Sequence, residues 1–163
     1  MRMALALAAA VPLVAGAPTT IAHPFTLTQH GLAKESAGPD VVLSETTVRG
    51  TIFVRRPLDF SGLQVQPATV AGEIVHRDGR LRLRLRLFAA TLTAFGDGSK
   101  AVVAHARVVR SNDPACPRGI VGIVHFVDDA RAGKDAMRLL VCPYAHEHYF
   151  DNGPRDRIRV AIG

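Results

Sequence analysis

Between Arg80 and Leu87 arginine and leucine alternate without a break, as Arg80-Leu81-Arg82-Leu83-Arg84-Leu85-Arg86-Leu87. A period of two puts all the leucines on one face of an extended chain and all the arginines on the other, whereas a helix would spread the charge around its axis. The run predicts a half-buried β-strand with Leu81, Leu83, Leu85 and Leu87 turned to a core. Asp78-Gly79, just before it, is a favoured two-residue hairpin turn because both residues tolerate positive φ. That turn sets an expected register: Arg77 opposite Arg80, Val75 opposite Arg82 and Glu73 opposite Arg84 outside, Ile74 opposite Leu83 and His76 opposite Leu81 inside.

The same pattern runs through the chain after residue 40, where short apolar or alternating stretches are broken by Gly, Pro, Asp and Asn. No helical period persists beyond about two turns. Strands are expected over 41–55, 69–77, 80–93, 100–110, 119–127, 137–142 and 156–162. Gly96-Asp97-Gly98-Ser99 is a second turn, and the end of strict alternation at Phe88-Ala89-Ala90 marks a bulge, which leaves the face of His105 open. The expected fold is all-β: a single domain, an antiparallel sandwich or barrel of about seven strands with one disulfide.

The first residues read as a leader. Met1-Arg2-Met3 carries one positive charge and precedes an apolar run from Ala4 to Val14, then small residues and Pro18. This has the form of a secretory signal peptide, and the run is too short to span a bilayer. Cleavage after Ala17 would leave Pro18 at the new terminus, so cleavage after Ala22 is favoured, giving an N-terminus of His23-Pro24-Phe25. The division that follows is a signal peptide at 1–22, an N-terminal arm or loop at 23–40 and a β domain at 41–163. The mature length suffices for one hydrophobic core and is short for two.

Export places Cys116 and Cys142, the only two cysteines, in an oxidising compartment, secreted, periplasmic or extracellular. A disulfide between them would stabilise the fold by roughly 3 to 4 kcal/mol in the chain-entropy model. It would tie the approach of a hairpin, 119–127 with 137–142, to its exit.

The formal net charge is +6, of which Arg2 in the leader supplies one. A basic balance favours acidic partners. Arginine outnumbers lysine 17 to 3, a bias that coding composition alone can produce. The arginine stripe Arg80, Arg82, Arg84 and Arg86 spans about 20 Å, a candidate surface for an anionic polymer. Arg49, Arg55 and Arg56 would extend it if their strand shares the face. The competing reading is a plain solvated face, partly neutralised by Glu73. With no aromatic residues interleaved to stack bases, nucleic acid is disfavoured.

Tyr144-Ala145-His146-Glu147-His148-Tyr149-Phe150-Asp151-Asn152 concentrates polar and aromatic side chains. In extended chain His146 and His148 share a side, so both imidazoles could reach one metal ion. A terminal His23 would offer its α-amine and ring nitrogen as well, a three-nitrogen set suited to Cu(II). That arrangement resembles the copper centre of secreted lytic polysaccharide monooxygenases and of copper-carrier β-sandwiches. The resemblance is confined to these residues, Pro24 follows His23, and there is no Trp for a glycan platform.

No Gly-x-Ser-x-Gly elbow, phosphate loop, dinucleotide loop or EF-hand loop occurs, and neither Asn112 nor Asn152 lies in a glycosylation acceptor. The leading expectation is therefore a secreted, non-enzymatic β domain that binds an extracellular protein or an anionic polymer. The alternative is a copper-binding or copper-dependent oxidative protein using His23 with His146 or His148. A third reading is a domain whose function lies in its shape alone.

Overall fold

The arginine–leucine run forms a strand whose burial alternates as its side chains demand: Leu81, Leu83, Leu85 and Leu87 are buried while Arg82, Arg84 and Arg86 are exposed. The computed structural model describes residues 20–35, 41–79, 81–131, 134–142, 144–148 and 157–163, so Arg80 lies outside it. Its strands are β1 (Ile21–Glu35), β2 (Val41–Val54), β3 (Gln64–Asp78), β4 (Leu81–Ala94), β5 (Lys100–Ser111), β6 (Val121–Asp128), β7 (Ala136–Val141), β8 (Tyr144–His148) and β9 (Arg157–Ile162). Among the described residues no helix is long and apolar enough to cross a membrane.

The strands make one open, curled antiparallel sheet, not two stacked ones. Each strand from β2 to β8 pairs with the next, and the sheet curls until β1 lies against β2 on one side and against β8 and β9 on the other. β1 runs beside β2 from Ile21 opposite Val54 to Lys34 opposite Val41. Its other edge meets β8 at Lys34 and Glu35 and β9 from Phe25 to His30. β8 and β9 thus share one of eight strand positions.

The inner face is the core. Phe25, Leu27, Ile52, Ile74, Leu85, Leu92, Phe126, Met137 and Leu139 are fully buried, and large side chains of this kind stabilise by about 1.5–3 kcal/mol each on leaving water. Phe25 of β1 meets Phe126 of β6 across the interior, ring centroids 4.9 Å apart. Gly50 and Gly72 face each other between β2 and β3. A Cβ on Gly50 would sit 2.8 Å from the Ala71 carbonyl oxygen, and one on Gly72 2.8 Å from that of Arg49; only glycine admits so close an approach.

Side chains, not backbone, span the gap where β9 faces β6 and β7. The Val160 amide donates to Asp135 Oδ2 at 2.7 Å and the Ile162 amide to Asp128 Oδ2 at 3.0 Å. Lys100 Nζ donates to the Ile162 carbonyl and lies 3.7 Å from Asp128 Oδ2. The exposed edge of β9 is thereby satisfied without a neighbouring strand.

Several expectations need correction. The β3–β4 hairpin pairs Asp78 with Leu81, so its turn comes after Asp78 and the register moves by two residues. Asp78 is buried and still in the ladder opposite Ser44 of β2; the chain turns only at Gly79, with φ of 44°. A shift of two keeps every side chain on its expected face, but Glu73 now stands opposite Arg86, Val75 opposite Arg84 and Arg77 opposite Arg82.

The segment expected as an arm or loop, 23–40, is strand through Glu35. Phe25, Leu27 and Gln29 point in while Thr26, Thr28 and His30 are exposed, an alternation with too few large apolar residues to stand out. Residues 1–19, which hold most of the expected leader, and 36–40 lie outside the described residues. Similarly, β3 begins at Gln64 and not Thr69, although Pro67 reads as a strand breaker. Residues 64–68 pair with β4 alone, so the missing N–H falls on a free edge. β8 is a further strand, entered through Cys142 with φ of 60°.

The bulge is where alternation fails: the β4–β5 register shifts between Leu87 and Ala89. The buried phase moves from Leu87 to Leu92 and Ala94, and His105 lands on the outer face. Cys116 and Cys142 are bonded, with Cα atoms 5.2 Å apart, and tie the β5–β6 loop to the exit of β7 as expected.

Candidate anion-binding face

Strand register converts single arginines into a lattice. Across the outer face of β2 to β5, Arg49, Glu73, Arg86 and Arg107 stand opposite one another in one row. The next row is Thr47, Val75, Arg84 and Arg110, and the third is Glu45, Arg77 and Arg82. Neighbours lie about 4.8 Å apart between strands and about 6.8 Å apart along them. Every one of these arginines is exposed, and in the lattice only Glu45 and Glu73 oppose them.

Glu73 is engaged by one neighbour. Arg84 donates to it through both Nε and Nη2, the latter at 2.9 Å from Oε2. These hydrogen bonds hold the Glu73 carboxyl below the usual carboxylate range, against slight desolvation and aided by the charges of Arg84 and Arg86. Arg84 is raised in turn. Glu45 is met by His30 Nδ1 at 3.1 Å.

Two hollows lie on this face. One, of about 620 Å³, is lined by Arg77, Arg82, Arg84, Arg110 and Asn112 among others. The Arg82 amide donates to Asn112 Oδ1 at 2.7 Å, which fixes the end of β5 against β4. The second, of about 490 Å³, is lined by Arg86, Phe88, Arg107 and Arg118 with Val108, Val109 and Gly119. Arg118 is brought there by the β5–β6 loop, since Gly119 N donates to Val108 O at 2.9 Å and Val108 N to Ile120 O at 2.8 Å. The Arg107 guanidinium stacks 5.4 Å from the Phe88 ring centroid, and the tilted His105 ring lies with its centroid 5.8 Å from that of Phe88. An array of guanidinium forks is suited to carboxylate, sulfate or phosphate groups, which accept paired N–H bonds.

Of the stripe read from sequence, Arg82, Arg84 and Arg86 lie in this lattice, and Arg49 joins them. Arg55 and Arg56 follow the far end of β2, on the order of 20 Å along the strand from Arg49. Arg77 was expected on the outer face and lies there, but Arg107, Arg110, Arg118 and Phe88 were not expected there. The outward alternation of His105 and Arg107 was the available signal, but Arg110 reaches the face only through a second register shift, between Arg84 and Leu85.

The histidines are not brought together. His23 sits opposite Ile52 at the start of β1, its Nδ1 bonded to the Gly163 carbonyl, while His146 of β8 pairs with Glu35 at the end of β1. Twelve residues of strand separate the two positions, on the order of 40 Å. A brace of His23 with His146 or His148 needs all its nitrogens on one ion, and the ladders set the backbones of His23 and His146 at opposite ends of β1. His148 is opposite Met137 and His146 opposite Leu139. His76 is buried on the inner face, its Nδ1 2.8 Å from Thr46 Oγ1; His125 lies half-buried on β6. Among the described residues no three His, Cys, Asp or Glu side chains are grouped closely enough to hold a metal ion.

Compared with protein-family models, with curated proteins and with solved structures, the chain matches none, so its functional reading rests on the geometry of this face.

Proposed function

We propose that the protein is an exported, non-enzymatic β domain that binds an anionic partner outside the cell through the outer face of β2 to β5. The observation that carries the reading is the direct register of Arg86 with Arg107 and of Arg84 with Arg110. Like charges directly opposite one another on a sheet are destabilising, and an anion laid across them relieves that repulsion. The expected leader and the Cys116–Cys142 disulfide are compatible with an oxidising compartment.

The test compares two charge-matched variants of the full chain on dextran sulfate. Arg84→Ser/Arg86→Ser/Arg107→Ser removes the centre of the lattice, and Arg55→Ser/Arg56→Ser/Arg159→Ser removes equal charge elsewhere. The first is expected to lower affinity at least tenfold with an unchanged melting temperature, and the second at most twofold. Equal losses would mean that net charge, not this face, does the binding, and would overturn the proposal.

A further inference from the structure

The arginine lattice does not end at a polar border. Beyond Arg107 the outer face of β5 and β6 carries Val103, Val121 and Ile123, with Ile120 before β6 and Phe88 at the bulge of β4, all of them large apolar residues left exposed. They are contiguous with the charge: Arg107 is opposite Val121, and His105, which touches Phe88, is opposite Ile123. Half-buried Leu140 of β7 continues the row beyond Ile123. Arg86, Arg107 and Arg118 therefore border an apolar strip on one side and the remaining arginines on the other.

A dissolved polyanion needs only the lattice and gains nothing from valine or isoleucine. A partner that presents anionic groups beside an apolar phase uses both, and the surface of an anionic bilayer is such a partner. Arginine suits this border, because its stem covers apolar surface while its guanidinium stays among headgroups. A second copy of this chain fits less well, since a two-fold contact sets the same arginine-bordered patch on both sides and so brings no anionic layer to Arg86, Arg107 and Arg118.

Resting on the anionic reading above, we infer that the partner is an anionic membrane surface, bound peripherally, with the Val121–Ile123 strip seated at the headgroup boundary and Arg86, Arg107 and Arg118 on the lipid charges. Neither signal suffices alone: the strip is too small to hold the protein on neutral lipid, and the arginines alone are screened by salt.

Two probes separate this inference from the reading it rests on. Full-length protein is sedimented with sucrose-loaded vesicles of phosphatidylglycerol and phosphatidylcholine, with vesicles of phosphatidylcholine alone, and titrated separately with dextran sulfate. Val121→Thr/Ile123→Thr keeps β-branched side chains and every arginine, and its melting curve checks the fold. The expected result is wild-type binding to the anionic vesicles only, and a variant at least tenfold weaker on those vesicles with dextran sulfate affinity unchanged within twofold. Should wild type bind dextran sulfate and ignore the vesicles, or the variant bind vesicles like wild type, the membrane inference falls and a soluble polyanion remains. A concentration-dependent dimer in light scattering that the variant abolishes would make the occupant a second copy. Failure to bind either probe would remove the anionic reading itself.

Discussion

Glu73 stands opposite Arg86 in the β3–β4 ladder yet holds Arg84, two residues along, through both nitrogens of its fork. The diagonal reach is ordinary for long side chains on adjacent strands. It leaves Arg86 facing Arg107 with no carboxylate bound to it among the described residues, and it ties down one arginine of the lattice. Glu73→Gln should free Arg84 and raise dextran sulfate affinity about two- to fivefold, while the melting temperature stays within error because the pair is exposed and screened. Parallel titrations of both proteins at one salt concentration check it; weaker binding would mean that Glu73 positions Arg84 for the ligand.

The side-chain seam on β9 makes a second prediction. Asp135→Ala strands the Val160 amide and Asp128→Ala the Ile162 amide, at a cost of about 1–3 kcal/mol each. Hydrogen exchange should rise at Val160 and Ile162 before it rises in β4 or β5. Uniform change across the sheet would mean that β9 has no separate opening.

Removing the Cys116–Cys142 bond as Cys116→Ser/Cys142→Ser should lower unfolding free energy by roughly 2–4 kcal/mol, read from urea midpoints. Anion affinity measured well below the midpoint should hold within about threefold, because the lattice is built by strand register and not by the bridge.

His125 and Asp129 each give the stability a direction with pH. Burial, aided by the charge of Arg138, lowers the His125 imidazole below its ordinary 6.5. The folded state therefore binds fewer protons there than the unfolded chain, and the contribution is present above pH 6.5 and lost as pH falls through the folded value. Asp129 is held at about 2, chiefly by hydrogen bonds from Arg131, so its contribution persists above its ordinary 3.8 and is lost as pH falls toward 2. Urea midpoints should decline below pH 6.5, and His125→Gln should flatten that first decline; identical slopes in the two proteins would contradict the assignment.

Much of the local structure was legible in the chain. Alternation placed Leu81, Leu83, Leu85 and Leu87 on the core face, Phe88-Ala89-Ala90 marked the bulge, and two cysteines in a chain expected to be exported implied their bond. Where reading failed, the missing information was non-local. β1 is made a strand by its long ladder with β2, not by its own composition, and β3 overran Pro67 because a free edge tolerates it. The site was half legible: the stripe could be read, but its alignment with Arg107 and Arg110 depends on two register shifts, and the separation of His23 from His146 depends on which end of β1 meets β8.

The salt dependence of dextran sulfate binding by the full-length chain, followed by titration calorimetry, tests the central claim most directly. Engagement of Arg84, Arg86, Arg107 and Arg110 with the polymer should displace at least three counterions, giving a slope of the logarithm of affinity against that of salt of about −3 or steeper. A flat dependence, or no binding at low salt, would contradict the anion-binding account of this face.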